Sequence, residues 1–277
     1  MSDQQNSDSV KAPAEAVDDL SIDEAQEGYG PLTILYQDEY LVAVNKPSGL
    51  FVHRSFMDKH ETQFALQMVR DQVGQYVYPL HRLDRPTSGV LLFALDADTA
   101  RLMGQAFTDK FIKKTYLAIC RGHLSGQGEI DHPLKEKLDK LGDKYVDPNK
   151  EPQHAITDYQ ALAHVTLPYA VGKYPSVRYS LVKLFPHTGR RHQIRRHLAH
   201  LRHPIIGDVN YGDNKQNPFF AEHFGYRRLM LHAYQVGFTH PHTNQLLSIT
   251  APLDNQWQDL FSQFHWSLRP SVGNLIS

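Results

Sequence analysis

The sequence predicts a globular protein of the α+β class, and three observations support that prediction. Segments rich in Val, Ile, Leu and Tyr outnumber segments with helical periodicity, and the two kinds do not alternate regularly. The 277 residues are 41% hydrophobic, which is ample for a packed core. No apolar run approaches the ~20 residues that a membrane-spanning helix needs. This pattern favours α+β over a doubly wound parallel sheet.

Strands are predicted where short apolar segments are bounded by turn residues such as Gly, Pro and Asp. In chain order they lie at 32–36, 40–45, 50–53, 90–95, 115–121, 159–165, 178–185, 228–238 and 245–251. Apolar residues at helical spacing predict helices at 61–73, after Asp98, at 190–200 and at 257–264. Asp98 is the expected N-cap of the second helix.

Two regions differ from this pattern. Residues 1–30 contain eight Asp and Glu residues against Lys11 alone, with few aromatic or large aliphatic side chains. Such a segment cannot bury enough apolar surface to offset the entropy of ordering it. We therefore expect a disordered acidic tail over 1–30 and one folded domain over 31–277. Residues 126–145 are polar and charged, which predicts an excursion from the fold.

The N-terminus and the cysteine content indicate a cytoplasmic protein. The first ten residues, MSDQQNSDSV, have neither a basic region nor an apolar region, so they do not form a secretory signal. Cys120 is the one cysteine, which excludes an internal disulfide and a cysteine-rich metal site. A reducing compartment is the natural setting for such a chain.

The folded part carries an uneven distribution of charge. Residues 159–207 contain no Asp or Glu. The cations in this stretch are Lys173, Arg178, Lys183, Arg190, Arg191, Arg195, Arg196 and Arg202. Such a stretch predicts a phosphate-binding surface, while a solvated basic face without a partner is an equally good interpretation of charge alone.

The segment HRLDRPTSG, residues 81–89, combines a carboxylate with turn residues. We expect a turn that presents Asp84 into a cleft while flanking strands hold it. Arg82 and Arg85 flank Asp84, and cationic neighbours keep a carboxylate ionised, as a nucleophile or base must be. The alternative is a surface Asp–Arg pair, and the local pattern alone favours it.

Two further segments combine basic residues with other features. Residues 113–118 lead two lysines into a strand that carries Tyr116, an arrangement suited to stacking on a base beside phosphates. Without further context, a core tyrosine with a polar edge is the better interpretation. Residues 188–198, TGRRHQIRRHL, predict a basic helix that Thr188-Gly189 opens and whose N-terminus suits anions. An arginine that faces inward from this helix would pair with a buried carboxylate.

Four histidines of the same region raise the alternative of a zinc site. They are His192, His197, His200 and His203. No pair has the His-x-x-x-His spacing with an acidic third ligand nearby, and the surrounding arginines would repel a dication. We therefore expect no metal site.

These motifs occur together and in one order, and jointly they resemble the RluA-type pseudouridine synthases. The matching motifs are NKPSG (45–49), HRLD (81–84) with TSG (87–89), KTY (114–116), TGR (188–190) with HQIR (192–195), and LHA (231–233). The resemblance extends over about residues 31–253. It implies a catalytic domain over 31–277 with the fold of that family. In that fold, a central, mostly antiparallel sheet is split into two halves with a cleft between them.

The resemblance implies that the chain isomerises a uridine of RNA to pseudouridine, with Asp84 as the nucleophile. It also implies that Tyr116 packs against the target base and that Arg195 pairs with the aspartate. Arg82 matches the residue that fills the space left by the flipped nucleotide. Attack on ribose C1′, attack on uracil C6 and abstraction of a ribose proton all stay open. The expected RNA contacts are Arg190, Arg191, His192 and Arg196.

Finer similarities bear on the substrate. Residues 129–134, residues 195–200 and Gln256-Trp257 are similar to the branch of the family that modifies uridine 65 in the T-arm of certain tRNAs. We therefore expect tRNA as the partner of a monomeric protein, with ribosomal RNA as the alternative substrate. A non-catalytic RNA-binding protein and a carboxylate-dependent hydrolase are the alternative classes. No cofactor is expected, because isomerisation involves no net oxidation or hydrolysis and the chain lacks the nucleotide-binding motifs.

Overall fold

The computed structural model describes residues 28–54, 61–135 and 151–268. Within these residues the chain forms one mixed sheet with helices packed around it, which confirms the α+β prediction. The strands are β1 (Thr33–Gln37), β2 (Leu41–Lys46), β3 (Tyr78–Pro79), β4 (Ser88–Ala94), β5 (Lys113–Arg121), β6 (Gln127–Asp131), β7 (Ile156–Leu167), β8 (Val177–Pro186), β9 (Leu231–Thr239) and β10 (Leu246–Thr250). The helices are α1 (Ala65–Val73), α2 (Ala97–Thr108), α3 (Gln193–His200), α4 (Gln216–Phe224) and α5 (Asn255–Gln263).

The sheet is built from two halves. The strand order is β1-β2-β4-β9-β5-β8-β7-β6, with β3 beside β4 and β10 beside β9. Neighbouring strands are antiparallel except β4 and β9, which run parallel over Ser88↔His232 and Gly89↔Ala233. We call β1–β4 the first half-sheet, β5–β10 the second half-sheet, and the β4–β9 pairing the junction. The predicted mostly antiparallel sheet in two halves is confirmed.

The junction requires a glycine. Gly89 has a φ of +112°, a backbone conformation that residues with a side chain rarely adopt. A Cβ atom at this position would lie 2.2 Å from the main-chain oxygen of Ala233. The two strands therefore approach each other more closely than any side chain at this position would permit.

Both faces of β2 and β4 in the first half-sheet are buried, which explains their continuous apolar runs. On one face, Val42 and Val44 of β2 and Leu91 and Phe93 of β4 pack with Ala65 and Val69 of α1. On the other face, Leu41 and Ala43 of β2 and Val90, Leu92 and Ala94 of β4 pack with Met103 of α2. The core of the second half-sheet includes apolar side chains of α3, α4 and α5. No helix in the described part of the chain is long and apolar enough to cross a membrane.

The strand predicted at 50–53 is wrong. The segment makes a single bridge, between Phe51 and Phe64. Its carbonyl groups have another function: those of Phe51 and Val52 accept hydrogen bonds from the first two N–H groups of α1, at 2.8 and 3.0 Å. The first turn of a helix lacks internal partners for these groups, so the segment caps α1 instead of extending the sheet.

Two helix starts also differ from the prediction. The N-cap of α2 is Asp96 and not Asp98, because Asp96 is extended and its carboxylate accepts from the Thr99 N–H at 2.8 Å. The basic helix α3 begins at Gln193 and not at Arg190, since His192 has a φ of 53° and interrupts the helix. The expected helix N-terminus at Thr188-Gly189 is therefore wrong.

Other differences concern elements that the sequence did not predict. The helix α4 and the short strand β3 were not expected, and β6 lies within the predicted excursion at 126–145. Residues 136–145, most of the rest of that excursion, fall outside the described residues. The predicted tail over 1–30 also falls outside them, apart from its last three residues.

Candidate active site

Asp84 lies on the loop between β3 and β4, as the turn residues around it predicted. Its carbonyl oxygen accepts a hydrogen bond from the Thr87 N–H at 3.0 Å, which closes the turn. Two further contacts come from the loop after β2. The N–H of Gly49 donates to the carbonyl of Arg85 at 3.0 Å, and the Ser48 hydroxyl donates to the carbonyl of Pro86 at 2.7 Å. The main chain of the turn is therefore held from outside, while the Asp84 carboxylate stays 25% exposed.

Lys46 binds the main chain of the same turn from its buried side. It is fully buried, and its ammonium donates to the carbonyls of Pro47, Leu50 and Arg85 at 2.9, 2.8 and 3.0 Å. Burial, followed by the charge of Arg228, lowers the pKa of Lys46 to about 7. In the sequence, this lysine was noted only as part of the NKPSG motif. In the structure, its hydrogen bonds connect the loop after β2 with the turn that carries Asp84.

The cation that faces Asp84 comes from the other half-sheet. Arg195 of α3 is 4% exposed, and its Nη1 lies 3.3 Å from Asp84 Oδ2. The predicted pairing of Arg195 with Asp84 is thus present in the geometry. Arg85, which the sequence suggested as a neighbouring cation, instead pairs with Glu61 at 2.6 Å and stacks over Phe51.

Arg195 is itself fixed by a second carboxylate, which sequence reasoning missed. Its Nε and Nη2 donate to Oδ2 and Oδ1 of Asp208, both at 2.8 Å, in a bidentate pair. The Asp208 side chain is fully buried, and its Oδ1 also accepts from the N–H groups of Asn210 and Tyr211. One signal was available in the sequence. Asp208 is the first acidic residue after the acid-free stretch 159–207.

The charge state of Arg195 follows from these partners. Burial alone would lower its pKa, but the hydrogen bonds and charge of Asp208, with the charge of Asp84, raise it. The guanidinium therefore stays charged, with its Nε and Nη2 bound to Asp208 along one edge and its Nη1 directed at Asp84. A guanidinium held in this way needs little rearrangement when a neighbouring carboxylate reacts.

Tyr116 projects from β5 close enough to Asp84 for the charge of the carboxylate to affect the Tyr116 phenol. It packs against the cores of both half-sheets and lines a narrow pocket with His81, Phe107 and Lys114. Burial, and then the Asp84 charge, raise the pKa of the Tyr116 phenol well above its ordinary value. The phenol is therefore protonated at any physiological pH, and it offers an apolar ring with a neutral polar edge.

The other predicted site residues lie at different depths. His192 is close to the carboxylate, with Nε2 4.0 Å from Asp84 Oδ2 and Nδ1 3.0 Å from the Tyr211 hydroxyl. Burial lowers the pKa of His192 to about 4, despite the opposing charge of Asp84, so its ring is neutral. Of the predicted RNA contacts, Arg196 is half-buried, while Arg190 and Arg191 are exposed. Arg82, predicted to fill the space of the flipped nucleotide, is also exposed.

A chain of hydrogen bonds spans the junction beside this site. Arg228 Nη2 donates to the Ser88 hydroxyl at 2.6 Å, and that hydroxyl lies 2.8 Å from His232 Nδ1. His232 Nε2 lies 3.3 Å from the Ala251 carbonyl, which only accepts, so Nε2 carries the proton and Nδ1 accepts from Ser88. Arg228 also pairs with Asp254. The chain therefore connects β4 with β9 four residues after Asp84.

Metal ligands do not gather around these residues. Within residues 28–54, 61–135 and 151–268, no three His, Cys, Asp or Glu side chains lie close enough together to hold a metal ion. What the site does contain is an exposed carboxylate, a fixed guanidinium and an aromatic ring. This set can present an ionised oxygen to an electrophilic carbon and can pack against a planar base.

Comparison with known proteins places this geometry in a family. Residues 40–200 match a family model described as RNA pseudouridylate synthase. The chain is 59% identical over 237 residues to "tRNA pseudouridine synthase C" of Pasteurella multocida (strain Pm70), a match that covers 86% of this chain and 98% of that protein. It is 57% identical to the protein of the same name from Haemophilus influenzae, over 85% of this chain and 98% of that one.

Solved structures agree with this assignment. "Human RNA Pseudouridylate Synthase Domain Containing 4" superposes with a TM-score of 0.63 at 27% identity, covering 86% of this chain and 95% of that one. "Human RNA Pseudouridylate Synthase Domain Containing 1" has a TM-score of 0.61 at 24% identity, over 87% and 97% of the two chains, and shares the fold. The family model spans more than half of the chain, and the relatives are covered almost end to end. The chain therefore belongs to the RNA pseudouridylate synthase family and is an RNA pseudouridine synthase.

Proposed function

We propose that this enzyme converts one uridine of tRNA to pseudouridine and that Asp84 is its nucleophile. The observation that supports this role is the Asp84 carboxylate, exposed at 25% and faced by an arginine that Asp208 locks in place. The tRNA substrate is supported by relatives at 54–59% identity that carry the name tRNA pseudouridine synthase C.

The reaction is an isomerisation, so every atom of the substrate is retained. The bond between ribose C1′ and uracil N1 breaks, the uracil turns, and C5 rejoins C1′. C5 loses a proton and N1 gains one. Asp84 is the reacting group whether it attacks C1′, attacks C6 or removes a ribose proton, since each route needs an ionised carboxylate beside the nucleoside.

Arg195 has a positioning role in this proposal. The bidentate pair with Asp208 fixes the plane of its guanidinium, and one remaining nitrogen orients the Asp84 oxygen at 3.3 Å. Because the arrangement exists before substrate binds, little of the reaction barrier goes into reorganising charged groups. Burial of the arginine strengthens the effect, since nearby water would otherwise screen the pair.

Tyr116 and Arg82 act on the RNA in this proposal. A uridine stacked in RNA is inaccessible, so it must be flipped out at a cost of a few kcal/mol. Tyr116 packs against the flipped base, and its raised pKa makes it a neutral partner and not a ready base. Arg82 is exposed beside Asp84 in sequence, where its planar guanidinium fills the space that the base has left.

The finer features of the proposal concern the substrate and the setting. We place the target at uridine 65 in the T-arm, with a ribosomal RNA uridine as the alternative. Arg190, Arg191, His192 and Arg196 contact the RNA backbone around it. The proposed enzyme is a cytoplasmic monomer that uses no cofactor, because the reaction neither oxidises nor hydrolyses its substrate.

Replacement of Asp84 by Asn tests the proposal. The wild type should form pseudouridine without releasing uracil when incubated with tRNA from a strain that lacks the gene. Asp84→Asn should bind the same tRNA yet react below about a hundredth of the wild-type rate, since loss of a nucleophile costs far more than that. The exposed acid Asp71 provides the control: Asp71→Asn should react normally.

Two outcomes of this experiment would contradict the proposal. Retention of more than a hundredth of the rate by Asp84→Asn would remove Asp84 from the nucleophile role. Modification of ribosomal RNA, with tRNA left unmodified, would move the substrate to the alternative. Mapping the modified nucleotide in the same samples tests the assignment of uridine 65.

A further inference from the structure

One side of α3 connects the active site to a second cluster of polar rings. Arg196 and His200 are four residues apart in α3, so they lie on one side of the helix. His192 marks the end near the active site, 4.0 Å from the Asp84 carboxylate. At 1.5 Å per residue, His200 lies about 10 Å along the helix axis from Gln193, the first residue of α3.

At the far end, His200 stacks on His132, the residue that follows β6. The ring centroids are 3.7 Å apart and the planes are inclined by 16°. Within the described residues, neither ring makes a hydrogen bond or an ion pair; the contacts of His132 with His197 and Ala155 come from its main chain. Among the residues that the structure describes, the ring nitrogens of this histidine pair therefore have no partner and are available to a ligand.

The charges around the histidine pair come from several elements. Burial lowers the pKa of His132, and the charges of His200 and Arg196 lower it further. His197, which packs edge-on against His132, is engaged on both ring nitrogens, by Thr157 and by the His132 carbonyl. Its own pKa is lowered by burial, so it is not an available proton acceptor.

Beyond the pair lie groups of both signs. His154 is 3.8 Å from Asp131, the residue before His132, and Arg190 Nε donates to the His154 carbonyl at 3.1 Å. Lys135 is exposed three residues after His132. At the N-terminal end of α3, His192 stays neutral at physiological pH, because burial lowers its pKa to about 4. Of these described residues, all but the exposed Asp131 are basic.

We propose that His132, Arg196 and His200 form a binding site for one phosphate of the RNA backbone, and that the histidine pair takes up a proton as the phosphate binds. The inference rests on the proposed function to the extent that it needs RNA as the substrate. The site lies along α3 from Asp84, so it would hold a nucleotide that flanks the target uridine.

The reason for proton uptake is electrostatic. In the free protein, burial and the charges of His200 and Arg196 lower the pKa of His132, whose ring stacks on His200 at 3.7 Å. A phosphate brings the missing negative charge, and its oxygens accept hydrogen bonds from ring N–H groups. The pKa of His132 is therefore higher in the complex than in the free protein. Proton uptake on binding makes the RNA affinity rise as the pH falls.

The test is the Kd for an unmodified tRNA transcript, measured at pH 7.5 and pH 6.0 at constant salt. The wild type should bind at least about threefold more tightly at pH 6.0. His200→Asn and His132→Asn should each reduce that ratio to near one. His200→Lys carries a permanent charge, so it should bind tightly at both pH values and show a ratio near one.

A matched control comes from another stacked histidine. His223 of α4 stacks on Phe219 with planes 12° apart, and it lies on a different helix. His223→Asn should keep the wild-type ratio. A wild-type ratio in both His132→Asn and His200→Asn would overturn the inference, as would weak binding of His200→Lys at both pH values. Failure of the wild type to form pseudouridine would instead overturn the proposed function, which the same tRNA samples reveal.

Discussion

The two half-sheets supply different things to the active site. The first half-sheet presents Asp84 on a turn that is held by main-chain contacts and by the buried Lys46. The second half-sheet and its helix α3 supply the bidentate pair of Arg195 with Asp208, which we call the charged frame. Neither half-sheet contains the whole arrangement. The comparison shows that one region sets the backbone of the site and the other sets its charge.

This division makes the junction important. The 3.3 Å contact between Arg195 and Asp84 connects residues of different half-sheets, so its length depends on how the halves are joined. The junction has only two paired positions, and the Arg228–Ser88–His232 chain reinforces them. Changes at the junction, in the charged frame and in single rings should therefore have graded effects.

The largest effect is expected from Gly89→Ala, which acts on the junction itself. The added Cβ would meet the Ala233 carbonyl at 2.2 Å, and the φ of +112° disfavours any side chain. We expect the free energy of unfolding to fall by about 4 kcal/mol or more, measured by urea denaturation. Gly74→Ala is the control, because Gly74 has a φ of +73° but no neighbour within 4 Å. Its expected cost is about 1 kcal/mol; equal losses would show that the collision at the junction is unimportant.

The next effect is expected from Asp208→Asn, which acts on the charged frame. It leaves the buried guanidinium of Arg195 without its bidentate partner, and breaking a buried pair costs about 3–5 kcal/mol. Both the free energy of unfolding and the single-turnover rate should fall. Asp71→Asn breaks an exposed pair with Arg70 and should change little. Full activity of Asp208→Asn would mean that Arg195 needs no second carboxylate.

Arg195→Lys separates the two possible roles of this cation. Lysine keeps the charge but loses the planar geometry that joins Asp208 to Asp84. RNA affinity should stay within a few-fold of wild type, while the single-turnover rate at saturating enzyme falls at least about tenfold. If saturating enzyme restores the rate, Arg195 is an ordinary phosphate contact.

The smallest effect is expected from acid, and it compares a ring of the first half-sheet with a ring at the junction. Burial lowers the pKa values of His81 and His232 to about 4, and each ring accepts a hydrogen bond through an unprotonated nitrogen. The unfolded chain binds protons near pH 6.5, so stability is complete above that pH and is lost as the pH falls towards 4. Each ring should cost about 1 kcal/mol by pH 5.5.

Urea denaturation at pH 7 and pH 5.5 measures this loss. His81→Gln and His232→Gln should each remove one ring's share of the difference between the two pH values. If neither variant reduces that difference, then neither ring is the source of the acid sensitivity. Unequal shares would show which of the two rings, His81 or His232, has the lower pKa in the folded protein.

Much of the active site could be predicted because its signals are local. The turn that presents Asp84 is written in consecutive residues, Pro86 to Gly89, and the strand that carries Tyr116 is a short apolar run. Burial of both faces of β2 and β4 likewise gives continuous apolar segments that mark buried strands. The fold class follows from the number and order of such segments.

The rest could not be predicted because it depends on contacts between distant residues. Asp208 is 13 positions from Arg195, and nothing in its neighbours shows that it is buried. The start of α3 depends on the side chain of Gln193, which accepts from Thr188 and from the Arg190 N–H in place of a helical turn. Arg85 pairs with Glu61, 24 positions away, so its place beside Asp84 in sequence misled the prediction of its role.

The junction also has a consequence for the order of folding. Ser88 and His232 are 144 positions apart in the chain, and Asp84 and Arg195 are 111 apart. Contacts across such separations form late, since closing a long loop must precede any gain from its contacts. The antiparallel strands β1, β2 and β4 can pair during synthesis, but β9 must be inserted between β4 and β5 afterwards. A growing chain therefore holds the proposed nucleophile long before the strand that joins it to its partners exists.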